Sequence, residues 1–504
     1  MSDVLLEGAG VLAAIPGAEI PALVLPDARA RIRSARAAEG RRTAVLDDDP
    51  TGSQTVHDVT LVTVLEAGEY ASALAEPGAT CFVLTNSRSL PAERAARVTA
   101  DVAADILALG AGLGGPVDLV SRSDSTLRGH VVEEVDALVA AHRQVTGTAV
   151  DGVLFVPAFP EAGRVTAGDV HYAMVGGAPI PVSSTEFARD TSFGYTTSDL
   201  RHFLAERSGG RIAAHDVRSV GLADIRRGGP DRVADILASV GGGAYAVVNA
   251  TEDADLDVVA LGLVEARRRG RTFVHRTGPS FVRALAGIDP RPPLAPGDVW
   301  PEGRRPGHGL LVVGSHMGLT NEQGAAVRQR RRMLPVELSV PRLLDPAERD
   351  GHVAAAAEAV TRGLADSDVL LVTSRTLLRA EGAEANLAIA RTVSASLTAV
   401  VRRALAAGPA WLVAKGGITS HDVAVHGLGI RRATVLGQVR PGLVSVLRPV
   451  EAAPNAVGLP YVVFAGNVGD AGTLAQAVEL VAGPGPGRTV GTDHATTDDR
   501  KAEA

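Results

Sequence analysis

The 504-residue sequence contains a single cysteine, Cys81, which excludes an internal disulfide framework and a zinc site built from cysteines. Cys81 lies in an apolar run and is predicted to be a plain buried thiol. Aromatic residues make up only 3% of the chain, which argues against the stacking platforms that grip single-stranded nucleic acid. The formal net charge of -7 points the same way, because a phosphate backbone needs a basic surface. We expect no nucleic-acid partner.

Long apolar runs are also missing, since no stretch reaches the ~20 apolar residues that span a bilayer. The N-terminus shows no basic segment followed by a long apolar core, so the sequence predicts no secretory signal. We therefore expect no membrane partner and, by default, a cytoplasmic location. A hydrophobic content of 46% excludes a globally disordered chain, and the length predicts two or three domains.

Short β-rich runs alternate with longer helical patterns, which is typical of α/β proteins with a mostly parallel sheet. A helix is predicted over Pro91–Leu109. The strands predicted in the first half are Arg42–Leu46, Cys81–Leu84, Val117–Val120, Asp151–Val156 and Ala244–Val248. Those predicted in the second half are Leu310–Val313, Val369–Val372, Trp411–Ala414 and Tyr461–Phe464.

Between these two series, six prolines and several glycines in residues 287–309 predict a semi-rigid linker without regular structure. The sequence thus predicts an N-terminal domain over 1–286, a C-terminal domain over 310–482 and a disordered tail over 483–504. Each domain is expected to have its own mostly parallel sheet flanked by helices. The active site is expected in the cleft between the domains.

Polar segments follow the N-terminal strands, where ligands of open α/β sheets bind. Asp47–Gly52 follows the first predicted strand and brings three adjacent carboxylates. Such carboxylates accept hydrogen bonds from sugar hydroxyls, and Asp48 or Asp49 could serve as a general base. The alternative is an acidic turn in which Asp49 or Thr51 caps a helix.

Arginines recur in the other strand-end segments, and their planar fork suits a carboxylate. Ser125 lies close to a predicted helix N-terminus, where anions are favoured. Ordinary helix capping with surface arginines is the alternative for each segment alone. The candidates for binding an acid substrate are Arg88, Arg122, Arg128, Arg164 and Ser125.

The second half repeats the order strand, glycine turn and helix, which predicts a nucleotide site. Gly416 and Gly417 let backbone amides approach a phosphate, and a helix starting at Thr419 or Ser420 favours the same anion. Lys415 either supplies a point charge or faces solvent. Gly314 precedes a helix predicted to begin with a capping box of Thr320 and Gln323, and Gly466 follows the last strand. Purely structural turns are the alternative.

Other motif matches carry no function. Gly110, Gly112 and Gly115 fit the spacing GxGxxG, yet they follow a helix and precede a strand, the reverse of a dinucleotide fingerprint. The sequence contains no Walker A motif and no GxSxG elbow. His421 and His426 lack the glutamate of a zinc-protease helix.

Taken together, the motifs resemble the four-carbon acid sugar kinase family. The matching segments run in order from roughly residue 40 to roughly residue 480. They are Asp48–Gly52, Thr85–Arg88, Asp124–Gly129, Pro157–Arg164, Gly314–Ser315 with Thr320 and Gln323, Gly416–Thr419, and Gly466–Asn467 with Gly469. The resemblance implies ATP-dependent phosphorylation of a terminal hydroxyl on an acid such as threonate, erythronate or 3-oxo-tetronate. It also implies that the N-terminal domain binds the acid and the C-terminal domain binds ATP.

The resemblance extends to residue roles. Asp48 or Asp49 would orient or deprotonate the hydroxyl, and Mg²⁺ would neutralise the phosphates. A lysine often seen before the Asp-Ser-Thr segment is here Arg122, which keeps the charge but changes its geometry. Implied substrate contacts are Thr51, Ser87, Arg88, Arg122, Asp124, Ser125, Arg128 and Arg164. Implied ATP contacts are Ser315, Gly416, Gly417, Ile418, Thr419 and Gly466.

Two alternatives stay open beside the kinase. One is a non-catalytic sensor that binds a sugar acid with the same two domains. The other, a nicotinamide-dependent hydroxy-acid oxidoreductase, is disfavoured because no correctly placed dinucleotide fingerprint occurs. The sequence leaves the stereochemistry of the substrate and the oligomeric state open, a homo-oligomer included.

Overall fold

The computed structural model describes residues 15–303, 306–314, 318–374, 383–466 and 468–483, so the predicted tail from 484 onward lies outside the described residues. The strands of the first half are β1 (Arg42–Asp47), β2 (Val59–Val62), β3 (Thr80–Leu84), β4 (Val117–Arg122), β5 (Gly152–Val156), β6 (Arg164–Ala167), β7 (Val170–Val175), β8 (Ala178–Pro181), β9 (Arg218–Val220), β10 (Ala244–Val248) and β11 (Phe273–Thr277). Its α-helices span Ala28–Ala38, Ala67–Ala73, Ala92–Leu113, Val131–Thr146, Leu200–Arg207, Leu222–Arg226, Gly229–Ala238, Asp253–Arg268 and Pro279–Ala286.

The second half continues the alternation. Its strands are β12 (Leu310–Val313), β13 (Leu334–Leu338), β14 (Val369–Thr373), β15 (Leu412–Lys415), β16 (Arg432–Gln438), β17 (Val444–Glu451) and β18 (Tyr461–Phe464). Its α-helices span Pro296–Val299, Gly318–Arg330, Val340–Leu344, Arg349–Asp366, Ala383–Ala404, Gly417–Asp422 and Thr473–Ala482. None of the helices in the described ranges is long and apolar enough to cross a membrane.

Every strand predicted from the sequence is present, and the predicted helix at Pro91 runs over Ala92–Leu113. Cys81 is buried in β3, as predicted. These strands were predictable because they are continuous apolar runs covered by helices on both faces of a parallel sheet. The strand β11 was missed because its buried positions include His275 and Arg276, which break the apolar pattern.

The expectation of two separate sheets is wrong. Fifteen strands of the described chain form one sheet in the order β13-β14-β12-β15-β18-β17-β16-β2-β3-β1-β4-β11-β5-β10-β9. The pairs within each half are mostly parallel, whereas β16 and β17 pair antiparallel with their neighbours. Strands β6, β7 and β8 form a second, antiparallel sheet of three strands.

The two halves meet where β2 pairs antiparallel with β16, with Val59 opposite Val435 and Val62 opposite Arg432. Side chains reinforce this junction. Thr63 donates a hydrogen bond from Oγ1 to the carbonyl of Ile430, and Arg431 Nη2 lies 2.8 Å from Oε1 of Glu69. The halves are therefore joined by backbone pairing as well as by the connecting chain.

The antiparallel junction reverses strand direction, so the parallel strands of the second half run opposite to those of the first. Five steps along the sheet separate β1 from β18. At roughly 20–25° of twist per step, β18 is turned by roughly 100–125° from β1. Register shifts in β16, one beside Gly437 at φ 141°, add to this local twist. Strand ends that a flat sheet would place on opposite edges can thus open on one cleft.

The proline-rich segment 287–309 holds more structure than the sequence predicted, because Pro296–Val299 forms one helical turn. The segment packs on the second half. The backbone N–H of Leu294 donates to the carbonyl of Gln438 (2.8 Å), and Trp300 Nε1 donates to the carbonyl of Val481 (3.1 Å). Proline at the first helical position is compatible with a turn of helix, since its missing N–H is not needed there.

Gly309 provides a test of this packing. A Cβ at Gly309 would lie 2.0 Å from the buried Trp411 ring, so we expect Gly309→Ala to lower the free energy of unfolding by about 1–3 kcal/mol. Gly68→Ala is the matched control, because a Cβ there meets nothing within 4 Å inside a helix. We expect it to be neutral or to stabilise by up to about 1 kcal/mol. Urea unfolding of the two variants measures the difference, and equal stabilities would contradict it.

Candidate functional site

Asp48 follows β1 and is held by three hydrogen bonds. Arg88 donates to its two carboxylate oxygens from Nη2 (2.7 Å) and Nε (3.1 Å), and Ser123 Oγ donates to Oδ2 (2.7 Å). Only 1% of Asp48 is exposed. Two parallel N–H bonds from an arginine fork fix both partners strongly. Asp48 therefore orients Arg88 and Ser123 and is itself shielded from the cleft.

Asp49, in contrast, faces the cleft, with a quarter of its side chain exposed. It accepts hydrogen bonds from the backbone N–H of Thr51 (2.9 Å) and from the Thr51 hydroxyl, and Arg88 Nη1 lies 3.3 Å from Oδ2. Burial acts to raise the pKa of Asp49, but the charges of Arg88 and Arg122 outweigh it and lower that pKa. Asp49 is thus an ionised carboxylate at the surface of the cleft.

Asp47, the last residue of β1, precedes Asp48 and Asp49 in the chain and is buried. Arg122 Nη1 donates to its Oδ1 (2.8 Å), and the backbone of Gly52 packs so closely that a Cβ there would lie 2.1 Å from Oδ2. Burial raises the pKa of Asp47 to about 7, and the neighbouring Asp48 and Asp49 push in the same direction against Arg122. Asp47 therefore keeps its proton to a higher pH than an ordinary aspartate.

The loop after β4 is held by hydrogen bonds from buried side chains. His171 is buried, and burial lowers its pKa to about 4, so the ring is neutral. Because a carbonyl only accepts, Nε2 of His171 donates to the carbonyl of Ser125 (2.7 Å) and Nδ1 accepts from the Thr166 hydroxyl (2.8 Å). The Tyr195 hydroxyl donates to the carbonyl of Thr126 (2.8 Å). These contacts hold a loop in which Leu127 adopts a left-handed φ of 68°.

Ser87 lies behind the cleft. It is 1% exposed and donates from Oγ to Glu134 (2.5 Å), which also accepts from the Ser121 hydroxyl (2.9 Å) and from Arg276. Arg276 in turn donates to Ser123 Oγ (2.6 Å). Ser87 therefore belongs to a buried network that supports the strand ends.

Arg164 differs from the other arginines of the cleft. Arg88 and Arg122 contact Asp48, and Arg128 donates to Asp124 (2.7 Å), whereas no carboxylate of the described chain lies within ion-pair distance of Arg164. Its guanidinium donates to the carbonyl of Ala162 and lies 5.9 Å from the centre of the Phe187 ring. The positive charge of Arg164 is thus free for a ligand.

Sequence reasoning missed the segment after β8 that closes this side of the cleft. Phe187 lies between two arginines, with the Arg128 guanidinium 5.2 Å from its ring centre. Glu186 and Asp190 line the same wall. This segment follows an edge strand of the small sheet, so the strand-end rule gives no signal for it. The one sequence signal for this segment was Phe187, an aromatic residue with the charged Glu186 and Arg189 on either side.

The glycine turn after β15 lies beside the end of β12. Gly416 has φ 117°, a conformation that only glycine adopts readily, and a Cβ on Gly314 would lie 2.2 Å from Oγ1 of Thr419. The helix that follows spans Gly417–Asp422, and Ile418 is 67% exposed. Close backbone approach is therefore required at both glycines. Ser315 lies outside the described residues.

In the second half the predicted capping box is wrong, and one of the two alternatives for Lys415 is excluded. Thr320 and Gln323 form no capping box, because both lie inside the helix Gly318–Arg330 and Gln323 Nε2 donates to the carbonyls of Val468 (3.0 Å) and Asp470 (2.8 Å). Lys415 does not face solvent. It is buried and donates to the carbonyls of Ala465 (2.9 Å) and Gly466 (2.5 Å).

One cavity of about 550 Å³ joins the two halves. From the second half it is lined by Gly417, Gly442, Leu443, Ala465, Gly466 and Val468. The sequence-predicted residues of the first half that line it are Asp49, Thr51, Arg88, Arg122, Asp124, Ser125, Arg128 and Arg164. Asp48, Ser87, Gly416, Ile418 and Thr419 are not part of its lining. The cavity thus sets arginines and several carboxylates, Asp49 among them, opposite two glycine turns.

Two family models match the chain. One, described as a sugar-binding N-terminal domain, covers residues 43–285, and the other, a nucleotide-binding C-terminal domain, covers residues 310–474. No match was found among curated proteins.

The fold is similar to solved structures. A candidate tRNA synthase from Salmonella typhimurium LT2 is 18% identical, with a TM-score of 0.64 over 86% of this chain and 98% of that protein. The Haemophilus influenzae protein HI1011, of the family model DUF1537, is 17% identical, with a TM-score of 0.61 over 87% of this chain and 100% of that protein. At these identities the likeness concerns the fold.

The buried Asp47 predicts a pH effect on stability. In an unfolded chain an aspartate has a pKa of about 3.9, so between pH 4 and pH 7 the folded protein keeps a proton that the unfolded chain has lost. The contribution of this proton to the free energy of unfolding is therefore complete below pH 4 and is lost as the pH rises through 7. We expect Asp47→Asn, which cannot ionise, to gain about 1–3 kcal/mol over the wild type between pH 5 and pH 8.

Urea unfolding of both proteins at pH 5 and pH 8 measures this gain. Asp350→Asn, at an exposed position, is the control and is expected to show no pH-dependent difference from the wild type. A difference for Asp47→Asn that stays constant with pH would mean that Asp47 is ionised throughout.

Proposed function

Because the chain belongs to the four-carbon acid sugar kinase family, we propose that it transfers the γ-phosphate of ATP to a terminal hydroxyl of a four-carbon acid sugar of the threonate, erythronate or 3-oxo-tetronate type. In this proposal residues 1–286 hold the acid and residues 310–482 hold ATP. The observation that carries it is the shared cavity, in which the arginines of the first half face Gly417 and Gly466 of the second.

The carboxylate of the acid sugar pairs with Arg164 in this proposal. Arg164 is the cleft arginine that no carboxylate in the described ranges neutralises, and Phe187 supports its guanidinium. A bidentate contact with a free guanidinium fixes both the position and the orientation of a carboxylate. With the acid end held there, the hydroxyl end of a four-carbon chain points toward the second half.

Asp49 then acts on the hydroxyl. It lines the cavity and is partly exposed, whereas Asp48 is buried and already accepts three hydrogen bonds. As the hydroxyl oxygen bonds to the γ-phosphorus and the bond to the ADP oxygen breaks, Asp49 accepts the hydroxyl proton. A low pKa does not prevent this role, since such aspartates mainly orient the hydroxyl in phosphoryl transfer. Asp48 is a positioning residue in this scheme.

The triphosphate lies along the turns that contain Gly417 and Gly466, where glycine leaves the backbone amides open to phosphate oxygens. No group of three or more His, Cys, Asp or Glu side chains that could hold a metal ion is found in the described part of the chain. Mg²⁺ in kinases is held largely by the phosphates and water, and no protein ligand is assigned here. Cleft closure pivots about the β2–β16 pairing, which keeps the halves attached.

The proposal is tested by measuring ADP release with purified protein, ATP and a panel of four-carbon acids, with NAD reduction as the control for an oxidoreductase. We expect ADP release with at least one acid and no reduction of NAD. Thermal stabilisation by an acid without ADP release would favour the non-catalytic sensor instead.

Asp49→Asn tests the assignment of the base. We expect kcat to fall by about 10²–10⁴-fold, because the variant cannot accept the proton, while the KM for ATP changes little. Asp190→Asn is the matched control, since Asp190 lines the same cavity outside the acidic turn. It is expected to keep kcat within about threefold. A wild-type kcat for Asp49→Asn on the true substrate would remove Asp49 from the mechanism.

A further inference from the structure

Lysine is almost absent from this chain. Lysine and arginine together number 50, and all are arginine except Lys415 and Lys501. Lys415 is the lysine within the described residues, and it ends strand β15 directly before Gly416. Since the chain places arginine at nearly every basic position, a lysine here indicates a position whose chemistry an arginine does not meet.

Lys415 is enclosed between two strand ends of the second half. Its side chain is fully buried, and its Nζ lies 4.4 Å from the centre of the Phe464 ring on β18. Nζ donates to the carbonyls of Ala465 and Gly466, the two residues that follow β18. No carboxylate in the described ranges lies within ion-pair distance of it. The ammonium is therefore bound by backbone carbonyls and a ring face alone.

These contacts connect the two glycine turns that line the cleft. The backbone N–H of Gly416 donates to the carbonyl of Phe464 (2.9 Å), and Ser420 Oγ donates to the carbonyl of Ala414 (2.8 Å). The turn after β15 is thus fixed by several bonds. For the carbonyls of Ala465 and Gly466, the Lys415 side chain supplies the hydrogen bonds, and both residues line the cavity.

An arginine would not fit the same role. The two carbonyls belong to adjacent residues, and a compact ammonium with three freely rotating donors can serve both. A guanidinium is larger and carries five N–H groups in a rigid plane, so burial at this position would leave several donors without partners.

We propose that Lys415 is the positioning residue of the nucleotide side of the cleft. Its ammonium holds the Ala465–Gly466 turn at the separation from the Gly416–Thr419 turn that admits the phosphates of ATP or ADP. This inference rests on the proposed function, because it takes the ligand between the two turns to be a nucleotide. It assigns Lys415 to the geometry of that site and gives it no contact with the acid sugar.

The protonation of Lys415 offers a second measurement. Burial lowers the pKa of this ammonium to about 8, so it is present below pH 8 and is lost as the pH rises above it. Burial also raises the pKa of Tyr461 well above its usual value and lowers that of His421. The titratable and charged side chains on the surrounding elements include Tyr461, His421, Asp422, His426, Glu322, Arg328, the Arg330–Glu479 pair and the Arg440–Asp470 pair.

The experiment measures ADP binding by calorimetry, without acceptor, for the wild type, Lys415→Met and Lys415→Arg. Loss of hydrogen bonds from a charged donor is expected to weaken ADP binding by about 10–100-fold in Lys415→Met. The ADP affinity of Lys415→Arg is expected to be closer to that of Lys415→Met than to that of the wild type. Arg448→Met is the matched control, because Arg448 also donates to a carbonyl in the second half, that of Val299 (2.6 Å), and does not line the cavity. We expect wild-type ADP affinity for it.

Steady-state kinetics then distinguish a positioning role of Lys415 from a general loss of structure in the variant. In Lys415→Met, the KM for ATP is expected to rise by about 10-fold or more while the KM for the acid stays within about twofold. In the wild type, ADP affinity is expected to fall by about tenfold between pH 7 and pH 9.5 as the ammonium is lost. This pH series also decides the matter if Lys415→Met fails to fold.

The outcomes distinguish this inference from the function on which it rests. A wild type that binds no ADP overturns both. A wild type that binds ADP, together with a Lys415→Met variant of equal affinity, overturns the positioning role alone. Wild-type affinity in Lys415→Arg overturns the requirement for a compact ammonium, and a flat pH series for the wild type overturns the role of the charge.

Discussion

The pairing of β2 with β16 is the constraint on which the rest of the architecture depends. It turns two α/β units into one sheet and, because it is antiparallel, reverses the strand direction between them. The carboxyl ends of the two sets of strands therefore cannot share an edge of a flat sheet. Twist accumulated over the five steps between β1 and β18 can turn these ends toward each other, and one cavity is lined by residues of both halves.

Most charged side chains on the first-half wall of the cleft are paired with one another. Asp48, Asp49 and Asp124 are held by Arg88, Arg122 and Arg128, so most of the charge on the first-half wall is already balanced. Removing one partner of such a buried pair would leave the other charge uncompensated, which is costly. Arg164 has the Phe187 ring beside it and no carboxylate partner in the described ranges. An incoming anion is therefore expected to be stabilised most at Arg164.

The sequence predicts the strand ends well and their assembly poorly. Apolar runs mark the strands, and the residues that follow them were named correctly as neighbours, because parallel strands must end on the same edge. The joining of the two sheets was not predicted, since β2 has only four residues and β16 carries register shifts that break its alternation. Nor could spacing show that Ser87 turns inward to Glu134 or that Phe187 closes the cleft. Those placements depend on contacts between segments distant in the chain.

The short strand β2 has one more consequence. It begins at Val59, eleven residues separate it from the end of β1 at Asp47, and that segment contains the acidic turn. That turn is thus tethered on one side to the central strand of the first half and on the other to the strand that borders the second half. Because β2 also pairs with β3, both strands that anchor the turn belong to the first half. The acidic turn is therefore fixed as part of the first half, although the strand on one side of it forms the border with the second.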